Sequence, residues 1–470
     1  MHADRLLTHT LRASPHGRAL AEVMAAALAA ADPAAAVRAR LRREGATVEV
    51  DGRRYQGVAR VLVVAAGKAA APMLHAARAT LGDLPAAGVL VTKDGHIGSQ
   101  EPSAQRPEAA GAHNQAADAQ FALLAAGHPL PDARGVAAAE RIAALLSGAR
   151  PDDLVLVLLS GGGSALLTWP APGLALADLQ AMTGALLRCG APIGQINTLR
   201  KHTTRLFGGQ LARMAAPAPV AALVISDVIG SPLDVIASGP TTADPSTFAD
   251  AWAVVERYGL ASELPAALVS HLQLGLAGAL PDTPKPADTL WQRVHSCVVA
   301  SNVHAAEAAV AAARARGWNA LLLTTYLEGE AREVGRVAAG LARELALRCA
   351  PIAHPALLVL GGETTVTIRG EGLGGRNQEL ALGAAEGLAG LPATLLVALA
   401  TDGGDGPTDA AGAVASGETL SRAQALGLAP TEFLRRNDAY RFFEPLGDLL
   451  RPGPTQTNVN DLLFVAALPG

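Results

Sequence analysis

The chain has 470 residues and a mass of 47.6 kDa, a length that predicts two domains because single cores rarely grow beyond about 300 residues. The formal net charge of -4, without a basic block, argues against partners such as nucleic acid or a membrane surface. No run of 18 apolar residues occurs, and the first residues lack the apolar stretch of a signal peptide, which together indicate a cytoplasmic protein.

The three cysteines, Cys189, Cys297 and Cys349, are far apart and odd in number. This spacing excludes a disulfide framework and gives no cysteine-based metal motif. We therefore interpret all three side chains as buried, unreactive thiols.

The first half of the chain alternates helical and strand-like patterns. Leucine and alanine at helical spacing predict two helices within residues 4–45, with Pro33 between them. Short apolar runs predict buried strands at residues 58–65, 88–92, 154–159 and 220–225. Residues 100–117 show no periodicity and are predicted to form an exposed insertion or a flexible loop.

Lys68 follows the first of these strands at a strand-to-helix turn, a position suited to a phosphate or a carboxylate. The turn is not a Walker A loop, because Leu62 stands where that loop needs a glycine and Ala69 replaces its Ser or Thr. A solvated surface lysine is the alternative. His128, held between a glycine and a proline, is compatible with turn packing as well as with a ligand role.

A glycine-rich loop follows the strand at residues 154–159. Its members are Ser160, Gly161, Gly162, Gly163 and Ser164. Glycines and serines between a buried strand and a helix predict a nest of backbone N–H groups that binds phosphate. A nucleophile elbow is the alternative, but its G-x-S-x-G pattern is absent.

Residues 197–212 predict a basic helix that carries Arg200, Lys201, His202 and Arg205 on adjoining turns. Such a run is ordinarily a solvated face, but Lys201 is also a candidate for binding phosphate. The strand at residues 220–225 ends in Ser226 and Asp227. Asp227 is therefore another candidate residue at a strand end.

The second half shows the same alternation of strands and helices. Apolar or alternating runs predict strands at residues 296–300, 320–324, 356–360, 364–368, 393–400 and 462–467. Helical spacing predicts helices at residues 302–316, 331–347, 418–426 and 432–444.

The stretch from Gly361 to Ala413 concentrates the candidate chemistry. Four glycines within six residues precede an arginine, so that backbone N–H groups and a guanidinium fork could hold an oxyanion. The candidate binding residues of this stretch are Glu363, Gly374, Gly375, Arg376 and Asn377.

Three aspartates follow the strand at residues 393–400. Asp402, Asp405 and Asp409 would repel one another without a cation, which predicts a divalent metal site with Asp402 and Asp405 as ligands. The alternative for the whole stretch is a glycine-rich hairpin followed by an aspartate-capped helix.

These patterns predict an α/β fold of two domains, each with a mainly parallel sheet flanked by helices, and an active site in the cleft between them. The predicted boundaries are an N-terminal domain at residues 1–248, a helical and proline-rich connection at 249–292, and a C-terminal domain at 293–470.

Ten segments, in order, resemble the glycerate 2-kinase family, the class II glycerate kinases with a C-terminal MOFRL domain. They are GKAAAPM from Gly67, GHPLPD from Gly127, SGGGSALL from Ser160, NTLRKH from Asn197, SDVIG from Ser226, IASGPTTADPSTFADA from Ile236, GGETTV from Gly361, GGRNQELAL from Gly374, TDGGDGPTDAAGA from Thr401 and TNVNDL from Thr457. The resemblance covers nearly the whole chain. Ser231 and Gln456 depart from it, since relatives often have aspartate and glycine there.

The resemblance implies phosphorylation of D-glycerate at its 2-hydroxyl, with ATP as co-substrate and Mg²⁺ or another divalent cation. It also implies that Lys68, Asp227, Arg376 and Asp402 are active-site charges. Phosphoryl transfer needs such charges at the moving phosphoryl group, a metal, and a base for the acceptor hydroxyl. The sequence leaves open which carboxylate is the base and whether the protein forms a homodimer.

The sequence leaves two alternative functions, a reductase and a binding regulator. A hydroxypyruvate or tartronate semialdehyde reductase would use the G-x-G-x-x-G pattern at residues 370–375 for a dinucleotide. A sugar-acid-binding regulator would need no metal, and the charged set argues against it.

Overall fold

The structure is a computed structural model that describes residues 1–94, 120–128 and 130–469. The predicted insertion at residues 100–117 lies outside these described residues. The chain forms two compact units. The first comprises Met1–Asp32, Asp227–Gly230 and Ala300–Gly470, and the second comprises Pro33–Ser226 and Ser231–Val299.

The α-helices of the described residues are numbered here in chain order. They are α1 (His9–Ala13), α2 (Gly17–Ala30), α3 (Pro33–Arg40), α4 (Ala70–Leu81), α5 (Ala133–Ser147), α6 (Gly163–Leu166), α7 (Leu176–Arg188), α8 (Ile193–Thr203), α9 (Gln210–Met214), α10 (Phe248–Arg257), α11 (Ala266–Leu276), α12 (Asn302–Arg314), α13 (Ala331–Arg348), α14 (Arg376–Leu388), α15 (Thr419–Ala425), α16 (Pro430–Arg436) and α17 (Ala439–Phe443). Short 3₁₀ helices lie at Ala3–Leu6, Ile236–Ser238, Leu260–Ser262 and Thr289–Arg293.

The strands of the described residues are numbered in the same way. They are β1 (Leu41–Glu44), β2 (Thr47–Val50), β3 (Arg53–Tyr55), β4 (Arg60–Ala66), β5 (Ala86–Lys93), β6 (Phe121–Ala126), β7 (Asp153–Leu159), β8 (Val220–Ile225), β9 (Val294–Ala300), β10 (Asn319–Leu327), β11 (Ala356–Gly362), β12 (Thr394–Ala400), β13 (Gly412–Ser416), β14 (Leu449–Leu450) and β15 (Asp461–Ala467).

The main sheet of the second unit has the strand order β6-β5-β4-β7-β8-β9 within the described chain. The pairs from β6 through β8 are parallel, as the predicted strands in this half required. In the register, Ala66 pairs with Leu159, so the residues that follow β4 and β7 lie side by side. This adjacency brings the Lys68 turn to the loop at residues 160–164.

Residues 249–292, predicted as a connection, contain helices that form part of a hydrophobic core. Helices α10 and α11 lie in this stretch and pack against α7 and α8 in one hydrophobic cluster, which includes Met182, Leu199, Phe248 and Leu272. This core could not be predicted from the proline-rich sequence, because prolines indicate loops but do not show where the helices between them pack.

The sheet of the first unit has the order β10-β11-β15-β12-β13-β14 in the described residues. The α/β class is confirmed, but this sheet is mixed rather than mainly parallel. The pair β10–β11 is parallel, whereas the last strand of the chain, β15, runs antiparallel between β11 and β12. Residues 356–362 and 394–400 therefore point the same way without being neighbours.

The predicted strand at residues 364–368 does not form; Thr365 makes an isolated bridge to Glu330 instead. The carboxylate of Glu330 accepts hydrogen bonds from the backbone N–H and the hydroxyl of Thr367. A side chain thus satisfies backbone groups that a strand would have paired.

The N-terminal helices belong to the first unit, in contrast to the predicted boundaries. Thr10 donates hydrogen bonds from its backbone N–H and its hydroxyl to the buried carboxylate of Asp448, at 2.8 and 2.7 Å. Thr457 donates to the carbonyl of Ala31 at 2.6 Å. These long-range polar contacts join the N-terminal and C-terminal parts of the chain. No local sequence pattern predicts them.

No single helix in the described residues is long and apolar enough to cross a membrane, although the bent pair Gly17–Ala30 and Pro33–Arg40 passes that test when taken together.

Candidate active site

The register of β15 determines which residues lie together at one end of the strands in the first unit. Asp461, its first residue, pairs with Gly362 at the end of β11 and with Ala400 at the end of β12. Glu363 and Asp402 follow those two strands. The mixed sheet therefore places Glu363, Asp402 and Asp461, which are distant in sequence, at the same end of its strands.

Arg376, the first residue of α14, makes two ion pairs at this end of the strands. Its Nε and Nη2 atoms donate to the two oxygens of Asp461 at 2.5 and 3.1 Å. Its Nη1 atom donates to Glu363 at 2.7 Å. Paired donors of this kind hold the planar guanidinium in one orientation. We call Glu363, Arg376 and Asp461 the arginine cluster.

The charges of the arginine cluster depend on one another. Burial raises the pKa of the Asp461 carboxyl, and the hydrogen bonds from Arg376 oppose that rise. Burial lowers the pKa of Arg376, but the Asp461 and Glu363 carboxylates outweigh it and raise that pKa. The guanidinium stays charged, and about a third of its side chain remains accessible to a ligand.

Asp405 has a different role from the predicted one. Its carboxylate accepts hydrogen bonds from the backbone N–H groups of Asn377 at 3.2 Å and Gln378 at 2.9 Å. These groups are among the donors that the first turn of a helix leaves unsatisfied. A side chain at Gly375 would collide with this carboxylate, which accounts for the glycine before Arg376. Asp405 thus fixes the start of α14.

The three aspartates of this loop do not converge on one point. Asp402 is exposed and accepts from the backbone N–H of Gly404 at 3.0 Å. Asp405 is buried under α14, and Asp409 accepts from the Tyr440 hydroxyl at 2.8 Å and pairs with Arg451. The three aspartates therefore do not form one cluster, and of the two predicted ligands, Asp402 and Asp405, only the exposed Asp402 carboxylate fits a ligand of a solvated cation.

The titration of Asp405 provides a test of its structural role. Burial raises the pKa of Asp405 to about 7, while the unfolded carboxyl titrates near 3.9. Because the folded state binds the proton more tightly, this stabilisation is complete below the unfolded pKa and is lost as pH rises through about 7. An asparagine cannot titrate, so Asp405→Asn is expected to remove this fall, which reaches about 1.4 kcal/mol per pH unit between the two pKa values.

Urea unfolding of both proteins at about pH 5 and about pH 8 measures the effect. The matched control is Asp409→Asn, which changes an exposed aspartate of the same loop and should keep the wild-type pH dependence. Parallel losses of stability in wild type and Asp405→Asn would contradict the assignment.

In the second unit, the turn after β4 and the loop after β7 interlock. The hydroxyl of Ser160 accepts from the backbone N–H of Ala69 at 2.9 Å. A side chain at Gly67, whose φ is +124°, would collide with Ser160. Ser160 is buried, and it therefore joins the two loops rather than facing a ligand.

Lys68 and His128 both flank Gly162. A Cβ atom at Gly162 would lie 3.1 Å from His128 Cδ2 and 3.6 Å from Lys68 Cγ, and its φ of +89° also favours glycine. The glycine loop thus lets two basic side chains approach its backbone. Sequence patterns left His128 undecided, and its nearness to Lys68 makes it a candidate member of the site.

A polar chain continues from this loop. Ser164 and Ser238 share a hydrogen bond at 2.9 Å, and Ser238 donates to the Asn197 side chain at 3.0 Å. Arg200 also donates to Asn197, at 3.4 Å, and burial lowers the pKa of its guanidinium. Ser238 and Asn197 are further site candidates; both belong to segments of the family resemblance, NTLRKH and IASGPTTADPSTFADA, which was the available sequence signal.

The basic helix is not a solvated face. Lys201 is 5% exposed, and its ammonium lies 3.3 Å from Asp244 and 3.6 Å from Asp234. His202, 3% exposed, hydrogen-bonds to Asp282 at 2.9 Å. These buried pairings favour a structural role for Lys201.

Asp227 lies two residues after the end of β8 and is half-buried, and the segment Asp227–Gly230 belongs to the first unit. Ser231 and Gln456, the two departures from the family pattern, both have a left-handed backbone, with φ of +53° and +64°. That conformation favours glycine, the residue that the family resemblance leads us to expect at position 456.

Comparison with known proteins covers both units. A family model described as "Domain of unknown function (DUF4147)" matches residues 19–273, and the MOFRL family model matches residues 356–461. The D-glycerate 2-kinase of Thermotoga maritima is 41% identical, over 86% of this chain and 90% of its own length. The glycerate 2-kinase of Pyrococcus horikoshii is 39% identical, over 93% and 94%. An Agrobacterium vitis protein with a provisional hydroxypyruvate reductase name is 41% identical, over 94% and 92%.

Two crystal structures agree with these relatives. A Pyrococcus horikoshii OT3 protein superimposes with a TM-score of 0.82 and 38% identity, over 96% of this chain and 98% of that chain. The glycerate kinase of Thermotoga maritima superimposes with a TM-score of 0.81 and 38% identity, over 95% and 98%. The chain therefore belongs to the glycerate 2-kinase family.

Proposed function

We propose that the protein transfers the γ-phosphoryl group of ATP to the 2-hydroxyl of D-glycerate, with Mg²⁺ as the divalent cation, to give 2-phosphoglycerate and ADP. The observation that carries the proposal is the arginine cluster. Two carboxylates fix a partly exposed guanidinium at the end of the sheet where β12 leads into Asp402, in a chain whose named kinase relatives match along most of its length. Catalysis of phosphoryl transfer consists mainly of positioning and charge stabilisation, which such a group provides.

Arg376 supplies charge and direction in this proposal. Its Nε and Nη2 atoms donate to Asp461 and its Nη1 atom donates to Glu363, so the guanidinium is held in one orientation. A preorganised cation costs little reorganisation when charge develops on the transferring group. Lys68, at its strand-to-helix turn, supplies a second positive charge.

Asp402 is the residue that would hold the metal. Mg²⁺ keeps several waters and binds through one or two carboxylates together with substrate phosphates. The exposed carboxylate of Asp402 suits that arrangement, whereas both oxygens of Asp405 serve the start of α14. When bound, the cation would neutralise charge on the phosphate oxygens.

The remaining candidates bind or orient substrate. The loop from Gly161 to Ser164, flanked by Lys68 and His128, would hold phosphate or the glycerate carboxylate. Asp227 would accept the proton of the 2-hydroxyl. The start of α14, which carries Arg376, is formed by Gly374, Gly375 and Asn377, and Glu363 pairs with Arg376 there.

The structure argues against the reductase alternative. The glycines of the G-x-G-x-x-G pattern pack against another segment, since a Cβ at Gly370 would lie 2.5 Å from the Arg436 carbonyl and one at Gly372 would also collide with it. No strand in the described residues leads directly into this loop, because β11 ends at Gly362. Packing thus explains glycines that a dinucleotide fingerprint would otherwise have explained.

Direct assays distinguish the two activities. Purified protein is expected to consume ATP only when D-glycerate and a divalent cation are both present, and the product should be 2- rather than 3-phosphoglycerate. No NAD(P)H oxidation is expected with hydroxypyruvate. Enzymes specific for the two phosphoglycerates identify the product, and the reaction without D-glycerate is the control. Rapid reduction of hydroxypyruvate without glycerate phosphorylation would overturn the proposal.

A further inference from the structure

Three side chains of the second unit form a group that the proposed kinase reaction does not use. One carboxylate oxygen of Asp51, one ring nitrogen of His295 and the sulfur of Cys297 all lie within 4.8 Å of one another. In the described residues this is the only group of three or more such ligand atoms so close together. Oxygen, imidazole nitrogen and sulfur together are the donor types of zinc sites.

Local structure explains why these residues meet. His295 and Cys297 are two positions apart on β9, so they lie on the same face of an edge strand. Asp51 and Gly52 form the two-residue turn between β2 and β3, with φ of +48° and +79°, as expected for an Asp-Gly type I′ hairpin. Asp51 is thus at the tip of a regular hairpin.

The hairpin is attached to the start of β9 by contacts that involve none of the three candidate ligands. Arg53, the first residue of β3, donates to the carbonyls of Gln292 at 2.8 Å and Val294 at 3.4 Å. These bonds hold the turn beside the strand. The three ligand atoms are therefore positioned before any ligand arrives, which lowers the cost of binding.

Two buried polar atoms, one in this group and one next to it, lack hydrogen-bond partners among the described residues. His295 Nε2 is buried and has none among the described residues; the nearest carboxylate oxygen, Asp51 Oδ2, is 3.6 Å away. The hydroxyl of Tyr55, at the end of the same hairpin, is also buried without a partner. A buried polar atom left unsatisfied costs about 1–3 kcal/mol, so each such atom calls for an explanation.

We propose that Asp51, His295 and Cys297 bind a zinc-type divalent cation. The ligands would be Asp51 Oδ2, His295 Nε2 and Cys297 Sγ, with a water molecule in the fourth position. Bonds of about 2.0–2.2 Å to nitrogen and oxygen give ligand separations of about 3.3–3.6 Å in a tetrahedron. The distance of 3.6 Å between Asp51 Oδ2 and His295 Nε2 agrees with this geometry.

Neighbouring groups determine how tightly the cation would be held. Arg40 pairs with the other oxygen of Asp51 at 2.8 Å and orients the carboxylate, while its positive charge opposes a cation. Burial raises the pKa of the Cys297 thiol to about 12, and the Asp51 carboxylate also raises it. The metal must therefore displace a firmly held proton, as thiolate ligands of zinc require.

The site differs from the proposed Mg²⁺ site in both chemistry and location. Sulfur and imidazole ligands select zinc or cobalt, whereas Mg²⁺ prefers oxygen ligands. Asp402 belongs to the first unit, and the three residues here belong to the second. The inference does not depend on the kinase proposal, because its test measures metal content and optical absorbance.

The first experiment uses the wild-type protein. After incubation with Zn²⁺ and dialysis, elemental analysis should give about one zinc per chain. Co²⁺ added to metal-free protein should produce a thiolate-to-cobalt charge-transfer band, and Zn²⁺ should raise the melting temperature, since a ligand that binds only the folded state stabilises it. A wild-type protein without bound zinc and without the cobalt band would overturn the proposal.

Variants identify the ligands. Cys297→Ser is expected to abolish the charge-transfer band, and Asp51→Asn and His295→Gln are expected to weaken zinc binding at least about tenfold. Cys189→Ser, which alters the other half-buried cysteine, should leave both readouts unchanged. Circular dichroism verifies folding. A band that survives in Cys297→Ser but disappears in Cys189→Ser would assign the thiolate elsewhere and refute this site.

Discussion

Arg376→Ala and Lys68→Ala are each expected to lower kcat by at least about a hundredfold, the size of effect seen when a preorganised charge is removed from a reaction centre. The reason for Arg376 is its fixed orientation: Asp461 and Glu363 occupy three of its nitrogen atoms and hold the guanidinium in place. Steady-state kinetics at saturating ATP and D-glycerate measure the loss. Near-normal turnover in both variants would contradict the proposed roles.

Stability must be separated from catalysis in the Arg376 variant. Asp461 is buried, and removing its partner leaves a buried carboxylate unpaired, which typically costs about 3–5 kcal/mol. Arg376→Lys retains the charge but loses the two-pronged contact, so it is expected to unfold less readily than Arg376→Ala and still lose most activity. Arg369→Ala alters an exposed arginine of the same loop and is the matched control for both readouts.

Strands with a strong local pattern could be predicted from the sequence. The apolar runs at residues 58–65, 154–159 and 220–225 became β4, β7 and β8, because buried parallel strands are continuous hydrophobic segments. The register that joins Lys68 to the glycine loop follows from neighbouring parallel strands. Local pattern was sufficient for the positions of these strands but not for the pairing of β4 with β7, because β5 and β6 lie between them in the chain.

The arginine cluster illustrates what local pattern cannot give. Glu363, Arg376 and Asp461 meet because the last strand enters the sheet between two earlier ones in the opposite direction. Asp461 was visible in the sequence only as the end of a polar tail motif. Its role depends on strand order, which the hydrophobic pattern of β15 does not specify.

Charged residues were harder to interpret than apolar ones. Lys201 and His202 had the pattern of a solvated face but are buried with Asp244 and Asp282. Cys349, interpreted as a buried thiol, is exposed. For Lys201 and His202 the outcome depends on partners from a later part of the chain, and a single sequence does not show such pairings.

Asp402→Asn and Asp227→Asn are expected to lower the kinase activity in different ways. Asp402 offers an exposed carboxylate at the strand ends, so its loss should raise the Mg²⁺ concentration for half-maximal activity at least about tenfold, with partial rescue by excess metal. Asp227, at its separate strand end, is proposed to accept the substrate proton. Its loss should lower kcat about 10²- to 10⁴-fold at every metal concentration.

A Mg²⁺ titration of both variants at saturating ATP and D-glycerate separates the two roles. Asp409→Asn is the matched control, because Asp409 lies in the same loop as Asp402 but pairs with Tyr440 and Arg451 at the surface. It should keep the wild-type metal requirement, since its carboxylate already has partners. Rescue of Asp227→Asn by excess Mg²⁺, with no rescue of Asp402→Asn, would require the two roles to be exchanged, because an added cation compensates only for a weakened metal ligand.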